Sequence, residues 1–331
     1  MKGSGSSVRA SSAGLPVTPV ARFPESPFWL DDDPARHLGA RLSRAGIGAW
    51  ATGAGVRDAA LGREPFAPRV VEILAACSAP ALAAAVGEEP LDGSGSVEVA
   101  AGPTRFVLRP LGEGPADGLL AAEALGRDFT ANAILCGLDG RDLRDPLGGI
   151  GDIAARRVRL AHPTALRDDP VRVIRLARMR ILLGEAEPDP EALVEAGIYG
   201  ADVAASAPIR LLTETVRLLG CGSPEAVDAA LRWLDGIGAL DGLALLPAPD
   251  RPARYLSACA RAGVRPDPYL ALGSLCAVRV GRAGWIDGLR PRFGDGRDLR
   301  AARAAAYLSG KTPPGEEAAA AAVRASVPGP G

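Results

Sequence analysis

Lysine, histidine and aromatic residues are scarce in this chain of 331 residues. Lys2 and Lys311 are the lysines among 38 basic residues, and aromatic residues make up 4% of the sequence. An anion-binding site must therefore use the planar guanidinium groups of arginine rather than the ammonium groups of lysine. The net charge of −1 gives no sign of nucleic-acid binding, although it is compatible with a local basic face.

Metal-binding and membrane-spanning patterns are also missing. The five cysteines are scattered without a CxxC pair, and His37 and His162 stand alone, so the ligand spacing of a zinc site is absent. Dispersed thiols suit a reducing compartment. No apolar run approaches the roughly 18 residues that a membrane span needs, and the N-terminal segment has no apolar signal core. We therefore expect a cytoplasmic protein with no membrane association and no bound metal.

The length and the apolar share of 47% predict a globular protein of roughly two domains. Hydrophobic periodicity is mixed in the first half and helical after Thr164. The predicted fold is therefore α+β, with a small mixed or antiparallel sheet flanked by helices in a head domain, followed by an all-helical neck and body. The expected parts are a flexible arm, the head, the neck, the body and a flexible tail, at residues 1–33, 34–164, 165–247, 248–310 and 311–331.

Local signals predict individual elements within these parts. A short apolar run predicts a strand over Ala49 to Thr52, and apolar periodicity predicts a helix that begins near Val56. Strand-like runs on either side of Gly102-Pro103 predict one hairpin, and Asp139-Gly140 predicts a second hairpin turn. Helical periodicity predicts a helix from Pro170 to Leu183.

Residues 126–184 carry the most specific pattern. It consists of RDFTxNA, DPxGGxxD and DPxRxxRxxR, and together these motifs closely resemble the class II tRNA nucleotidyltransferase and poly(A) polymerase family. Upstream, TGAGVRDAALGR at residues 52–63 is similar to the family's GGxVRDxxLGR turn, with Ala54 in place of the second glycine. The matching residues are Arg127 to Thr130, Asn132, Ala133, Asp145, Pro146, Gly148, Gly149, Asp152, Asp168 to Pro170, Arg172, Arg175 and Arg178.

The glycine turn suits an anion for a physical reason. Gly53 and Gly55 allow backbone N–H groups to approach a phosphate, and the helix that follows directs its positive end to the same place. Arg57 would then meet a phosphate. The alternative is a strand-to-helix turn without a ligand, in which Arg57 and Asp58 form an ordinary surface pair.

The resemblance implies roles for further residues. Those matching Arg127 and Asp128 hold the triphosphate and the ribose, and those matching Asp169 and Arg172 recognise the incoming base. Arg175 lies on the same predicted helix face as Arg172 and is a further candidate for nucleotide binding. The alternative is structural, because Asp169 suits a helix N-cap and the arginines suit a solvated stripe.

The carboxylates that two-metal nucleotidyl transfer requires are missing from their expected places. The family supplies two acids shortly after LGR and a third on a later strand, and counting places these positions on Ala67, Arg69 and Thr104. A fixed positive charge at Arg69 would oppose Mg²⁺ and could contact a phosphate instead. Glu72 and Glu98 are the acids that could substitute in a shifted arrangement.

Three functions remain open. The first is a pseudoenzyme that binds a nucleoside triphosphate, tRNA-like RNA or both, with no catalytic residue, metal or cofactor. The second is an active enzyme that adds CCA or adenylate to RNA, using displaced carboxylates with Mg²⁺ and ATP or CTP. The third is a scaffold that binds no nucleotide and meets a protein partner through its helical half.

Overall fold

The structure, a computed structural model, divides into two compact units. Within the described residues, the first unit runs to Ala155 and also includes Arg159–His162, while the second takes residues 156–158 and the chain from Pro163 onward. No helix in the described ranges is long and apolar enough to cross a membrane. The described residues are 33–62, 69–91, 93–101, 104–138, 142–240 and 256–257.

Several sequence predictions lie outside these residues. They are the arm except Asp33, residues 241–247 of the neck, all of the body except Leu256 and Ser257, the tail, position Ala67 and the turn at Asp139-Gly140.

The first unit contains six strands and several helices. Its strands are β1 Ala49–Thr52, β2 Arg69–Ala75, β3 Val97–Ala101, β4 Thr104–Pro110, β5 Leu135–Gly137 and β6 Leu143–Arg144. Its helices are α1 Asp33–Arg44, α2 Ala54–Ala60, α3 Ala79–Val86, α4 Ala116–Leu125 and α5 Gly149–Ala154, with a 3₁₀ turn at Thr130–Asn132. The strand prediction for residues 49–52 and the predicted β3–β4 hairpin are both confirmed.

The six strands form one mixed sheet in the order β3-β4-β2-β1-β5-β6. Strands β2 and β4 pair in parallel, and the other neighbours pair antiparallel. Glu72 in β2 lies opposite Thr52 in β1 and opposite Val107 in β4. These partners share one face of the sheet, because directly opposed residues project to the same side.

The two faces of the sheet differ in burial. Along β4, the buried Thr104, Phe106 and Leu108 alternate with Arg105 and Val107, which are more accessible. At one end of the more accessible face, Trp50 and Leu74 are covered by other residues and belong to a buried apolar cluster. The other end of this face carries Glu72 and Arg105 together with the exposed Val70, so charged side chains lie beside a packed core.

Several residues of the DPxGGxxD motif have structural roles. The Asp145 carboxylate accepts hydrogen bonds from the backbone N–H groups of Gly149 and Ile150 at 2.7 and 2.8 Å, at the start of α5. A Cβ atom on Gly149 would lie 2.2 Å from the carbonyl oxygen of Thr130, so the backbones approach more closely than a side chain permits. The fully buried Asp152 accepts a hydrogen bond from the Thr130 hydroxyl at 2.7 Å. These contacts fix the loop that carries RDFTxNA.

The second unit is mainly helical, as predicted. Its helices are α6 Ala165–Asp168, α7 Arg172–Leu182, α8 Pro190–Tyr199, α9 Pro208–Leu219 and α10 Pro224–Gly236, and its short strands are β7 Arg157–Val158 and β8 Glu187–Pro188. Helix α7 begins two residues later than predicted, with Val171 as its N-cap and without a side-chain cap. Asp169 therefore does not cap this helix, and its carboxylate is available for other partners.

Candidate functional site

The glycine turn joins β1 to α2. Gly53 has φ 76° and ψ −144°, a left-handed conformation that favours glycine, and it forms the N-cap of α2. The hydroxyl of Thr52 donates to the carbonyl oxygen of Ile134 at 3.1 Å, which fixes the end of β1. Gly55 follows in the first turn of α2. The turn is therefore held in place by its own sheet, and Glu72 and Arg127 lie beside it.

An ion-pair cluster made of Glu72, Arg109, Glu123 and Arg127 lies next to Gly53. Arg127 donates to both carboxylate oxygens of Glu72, through Nη1 to Oε2 at 2.8 Å and Nη2 to Oε1 at 2.9 Å. Arg127 Nη2 also lies 2.9 Å from Glu123, and Arg109 pairs with Glu123 and lies 3.7 Å from Glu72. The cluster joins β2, β4, α4 and the residue that begins the RDFT motif.

The charges in this cluster influence one another. Burial works to raise the pKa of Glu72, but the hydrogen bonds and charge of Arg127, together with Arg109, outweigh burial and hold the pKa below its ordinary value of 4.5. Burial works in the opposite direction on Arg127, whose pKa is nevertheless raised by Glu72, Glu123 and Asp128. Both partners are therefore charged near neutral pH.

Arg57, for which the sequence predicts a phosphate contact, is buried and pairs with protein groups. Its side chain is 5% exposed and pairs with Asp58 at 2.7 Å, so the pair is not an ordinary surface pair either. Arg57 Nη1 also donates to the Asn132 side-chain oxygen at 2.9 Å, and Asn132 Nδ2 donates to Asp128 at 2.9 Å. Arg57 thus links α2 to the RDFTxNA loop. The carboxylate of Asp128, predicted to hold a ribose, also accepts the backbone N–H of Phe129 at 2.8 Å.

One of the positions counted for the metal-binding acids, Thr104, has a described side chain. Thr104 lies opposite Arg69, as two positions serving one metal would, but Thr104 is buried with Phe106 on the face away from Glu72. The Thr104 hydroxyl has no hydrogen-bond partner in the structure. Of the predicted substitute acids, Glu72 therefore lies beside the turn, on a different face from the counted third position.

Glu98 does share a face with Glu72, but the two acids are separated by β4, since both are register partners of Val107. Two strand spacings place their Cα atoms about 10 Å apart. The Glu98 carboxylate pairs with Arg105 at 3.3 Å. No group of three or more His, Cys, Asp or Glu residues that could hold a metal occurs within the described part of the chain.

The second unit contains the predicted base-recognising residues. The Asp169 carboxylate pairs with Arg210 at 2.5 Å and lies 3.5 Å from Nε of Arg172. Arg172 Nη1 also donates to the carbonyl oxygen of Ala165 at 3.2 Å. The structure thus brings Asp169 and Arg172 together, as the resemblance implies, and adds Arg210 as a second cation.

Arg175 and Arg178 are not solvated as a stripe. The carboxylate of Glu214, which is 3% exposed, lies 3.1 Å from Arg175 and 2.8 Å from Arg178. Arg217 pairs with the same carboxylate at 2.9 Å. Glu214 in α9 therefore anchors the arginines of α7. The guanidinium of Arg175 is paired within the protein through this contact.

The sequence analysis assigned no site role to Arg109, Glu123 or Arg210. The register could have suggested Arg109, because Arg109 lies opposite Leu74 and shares the face of Glu72. No local signal identifies Glu123, since its role depends on how α4 packs.

Comparisons with known proteins agree with this architecture. The chain is 32% identical over 295 residues to the CC-adding tRNA nucleotidyltransferase of Deinococcus radiodurans, covering 78% of this chain and 75% of that protein. It is 37% identical over 156 residues to the CC-adding tRNA nucleotidyltransferase of Geobacter sulfurreducens, covering 44% of this chain and 34% of that protein. Matches to this second relative and to several multifunctional CCA proteins span about a third of those relatives.

Solved structures show the same fold. A CCA-adding enzyme in complex with ATP superposes with a TM-score of 0.68 at 16% sequence identity, covering 92% of this chain and 80% of that one. No family model matches the chain. The long match to the Deinococcus protein nevertheless reaches through most of both sequences, and so the chain belongs to the family of tRNA nucleotidyltransferases.

Proposed function

We propose that the protein binds a nucleoside triphosphate and the 3′ end of a tRNA-like RNA without catalysing nucleotidyl transfer. The observation that carries this proposal is the ion-pair cluster, in which Glu72, beside the glycine turn, is held by arginines. Relatives named as CC-adding enzymes make CTP the first nucleotide to test, with ATP second. In this proposal residues 34–164 form the nucleotide-binding head, and residues 165–247 form the neck.

The binding roles follow from the geometry. Arg127 provides a guanidinium group beside Gly53 and Arg109 provides a second one close to Glu72, and both groups can meet phosphate oxygens. Asp169 and Arg172 together offer an acceptor and donors for the edge of a base. Arg57 positions the turn instead of contacting the ligand, because its side chain is buried.

The donor set near Gly53 does not suit Mg²⁺. This ion prefers several oxygen ligands in octahedral geometry, and the family uses it to support attack of an RNA hydroxyl on the α-phosphate. The Glu72 carboxylate is instead paired through both oxygens with Arg127 and approached by Arg109. The counted acid positions carry Ala67, Arg69 and Thr104, none of which has a carboxylate. This arrangement supports binding without transfer.

An active enzyme with displaced acids is the second candidate. One observation favours it, because Glu72 Oε2 would lie 3.7 Å from a Cβ atom on Gly53 and so sits beside the predicted phosphate turn. In that case Glu72 would have to exchange its arginine partners for metal. Incorporation of nucleotide that Glu72→Gln abolishes would support this candidate.

A protein-binding scaffold is the third candidate. Leu193, Val194 and Ile198 on α8 are exposed apolar side chains, from 40 to 62% accessible, and could meet a protein partner of the helical half. Elution in a complex with another protein, combined with no response to nucleotide, would favour this candidate over nucleotide binding.

The deciding experiment measures binding and transfer on the same sample. Labelled CTP and ATP are supplied with tRNA that lacks its 3′ CCA, in Mg²⁺ or Mn²⁺, while thermal unfolding is followed with and without nucleotide. A ligand at 100 times its dissociation constant stabilises the protein by about 2.7 kcal/mol. We expect a thermal shift without incorporation. Incorporation would overturn the proposal in favour of the displaced-acid enzyme, and neither signal would overturn it in favour of the scaffold.

A further inference from the structure

The ion-pair cluster has no net charge. Arg109 and Arg127 contribute two positive charges, and Glu72 and Glu123 contribute two negative charges, all within one connected set of contacts. A polyphosphate carries several negative charges, so its attraction to a site depends on the positive charge that remains unpaired. The acids of the cluster therefore offset the arginines that should attract the phosphates.

The contact between Glu72 and Arg127 has the geometry of ligand binding. Both terminal nitrogens of Arg127 donate to the two carboxylate oxygens, as a fork that faces a planar acceptor. A guanidinium uses the same fork to hold two phosphate oxygens. Carboxylate and phosphate therefore compete for one set of donors.

We infer that Glu72 is an internal competitor for the phosphate site, which holds Arg127 until a nucleotide polyphosphate displaces the carboxylate. This inference rests on the proposed function, because it concerns the affinity of the same site. Part of the binding energy of the nucleotide is spent on separating Glu72 from Arg127, so wild-type protein binds nucleotide more weakly than its arginines would permit. Glu72 thereby limits the affinity of the head for nucleotide.

A purely structural ion pair makes a different prediction. If Glu72 served only to hold β2 against Arg127, removing its charge would lower stability and leave nucleotide affinity unchanged or reduced. A competitor has the opposite effect on affinity, because the freed fork of Arg127 becomes available to phosphate. The two roles are thus distinguished by whether the Kd for nucleotide falls when the charge of Glu72 is removed.

The test measures nucleotide affinity of the full-length protein by isothermal titration calorimetry. CTP and ATP are titrated in the presence of EDTA, so that metal plays no part in the comparison. Glu72→Gln keeps the shape of the side chain and removes its charge. Asp117→Asn is the matched control, since it removes one negative charge from the same unit and its partner Arg144 lies outside the cluster. We expect Glu72→Gln to lower Kd about tenfold or more and Asp117→Asn to leave Kd unchanged.

A double variant shows whether the gain passes through Arg127. Adding Arg127→Ala to Glu72→Gln should remove the gain in affinity, since interacting residues give non-additive effects. If Glu72→Gln does not fold, Glu72→Asp replaces it. The shorter side chain cannot keep both contacts with the fork, so it should bind nucleotide more tightly than wild type.

The outcomes separate this inference from the proposed function. Tighter binding by Glu72→Gln that depends on Arg127 supports the inference. Wild-type binding with equal or weaker affinity in Glu72→Gln overturns the inference and leaves nucleotide binding intact. No detectable binding by any variant overturns the inference and the proposed nucleotide-binding function together.

Discussion

Replacing Gly149 by alanine should destabilise the first unit, and the structure shows why. The new Cβ atom would lie 2.2 Å from the carbonyl oxygen of Thr130, 2.7 Å from its carbonyl carbon and 3.1 Å from the backbone nitrogen of Ala131. All three atoms belong to the backbone, which cannot rotate away as a side chain can. The backbone N–H of Thr130 also donates to the carbonyl oxygen of Arg159 at 3.1 Å, so this segment is held from the other side.

The size of the effect follows from two opposing contributions. Overpacking of a rigid site costs about 1–3 kcal/mol, whereas alanine is more favourable than glycine within a helix by up to about 1 kcal/mol. We therefore expect Gly149→Ala to lower the free energy of unfolding by about 2 kcal/mol. Gly151→Ala in the same helix is the control, because no atom of the described residues lies within 4 Å of its added Cβ atom. That substitution should be neutral or slightly stabilising.

Urea denaturation followed by far-UV circular dichroism, together with thermal melting, measures both variants. A loss of about 2 kcal/mol corresponds to a fall in Tm of several degrees for a domain of this size. Equal stability of the Gly149 and Gly151 variants would refute the reasoning, since it would mean that α5 and the Thr130 loop separate without cost.

Three further predictions concern ionisable groups that are wholly or partly buried. Glu214→Gln should lower the free energy of unfolding of the second unit by about 3 kcal/mol in urea denaturation, because three arginines lose a buried carboxylate. Asp228→Asn, which breaks a more exposed ion pair, should lower it by less than about 1 kcal/mol. Equal losses would contradict this ranking. The folded-state pKa of Glu72 lies below 4.5, so its charge stabilises the protein above that pH and the benefit is lost as the pH falls through the folded value. The stability difference between wild type and Glu72→Gln, measured from pH 7 to pH 3, should therefore shrink on acidification, and a constant difference would disprove the linkage. Burial raises the pKa of the Cys221 thiol to about 11, although the charge of Arg178 lowers it by a smaller amount. Iodoacetamide at pH 8 should therefore label Cys221 far more slowly in the native protein than in urea, as measured by peptide mass spectrometry. Equal labelling rates would argue against this burial.

The fold could be predicted largely from the sequence because its signals are local. The strand Ala49–Thr52 is a short apolar run that ends at a glycine, and its limits match the structure. Helix α7 was predicted from its periodicity, although its first residue is Arg172 and not Pro170. The N-cap interpretation of Asp169 failed because the helix begins at Arg172 with Val171 as its N-cap, and the Asp169 carboxylate pairs instead with Arg210, 41 residues further along the chain.

The site was harder to predict because its contacts are distant in sequence. The buried side chain of Arg57 forms a hydrogen bond with Asn132, 75 residues away. The motif around Arg57 alone could therefore not distinguish a residue that contacts phosphate from one that positions the turn. Glu72 and Arg127 are separated by 55 residues and meet only once the sheet has formed. Counting along the chain also ignores which face a strand residue occupies, which is why Thr104 falls on the buried side.

The division into units has a practical consequence for dissecting the protein. The chain passes from one unit to the other after Ala155, returns after Val158 and leaves again after His162. A fragment ending at residue 155 would lose Leu160, which bridges to Phe129 in the first unit. A fragment ending at residue 162 would instead carry β7 away from β8. No single cleavage point yields both halves intact, so truncation experiments on this protein would confuse loss of function with loss of folding.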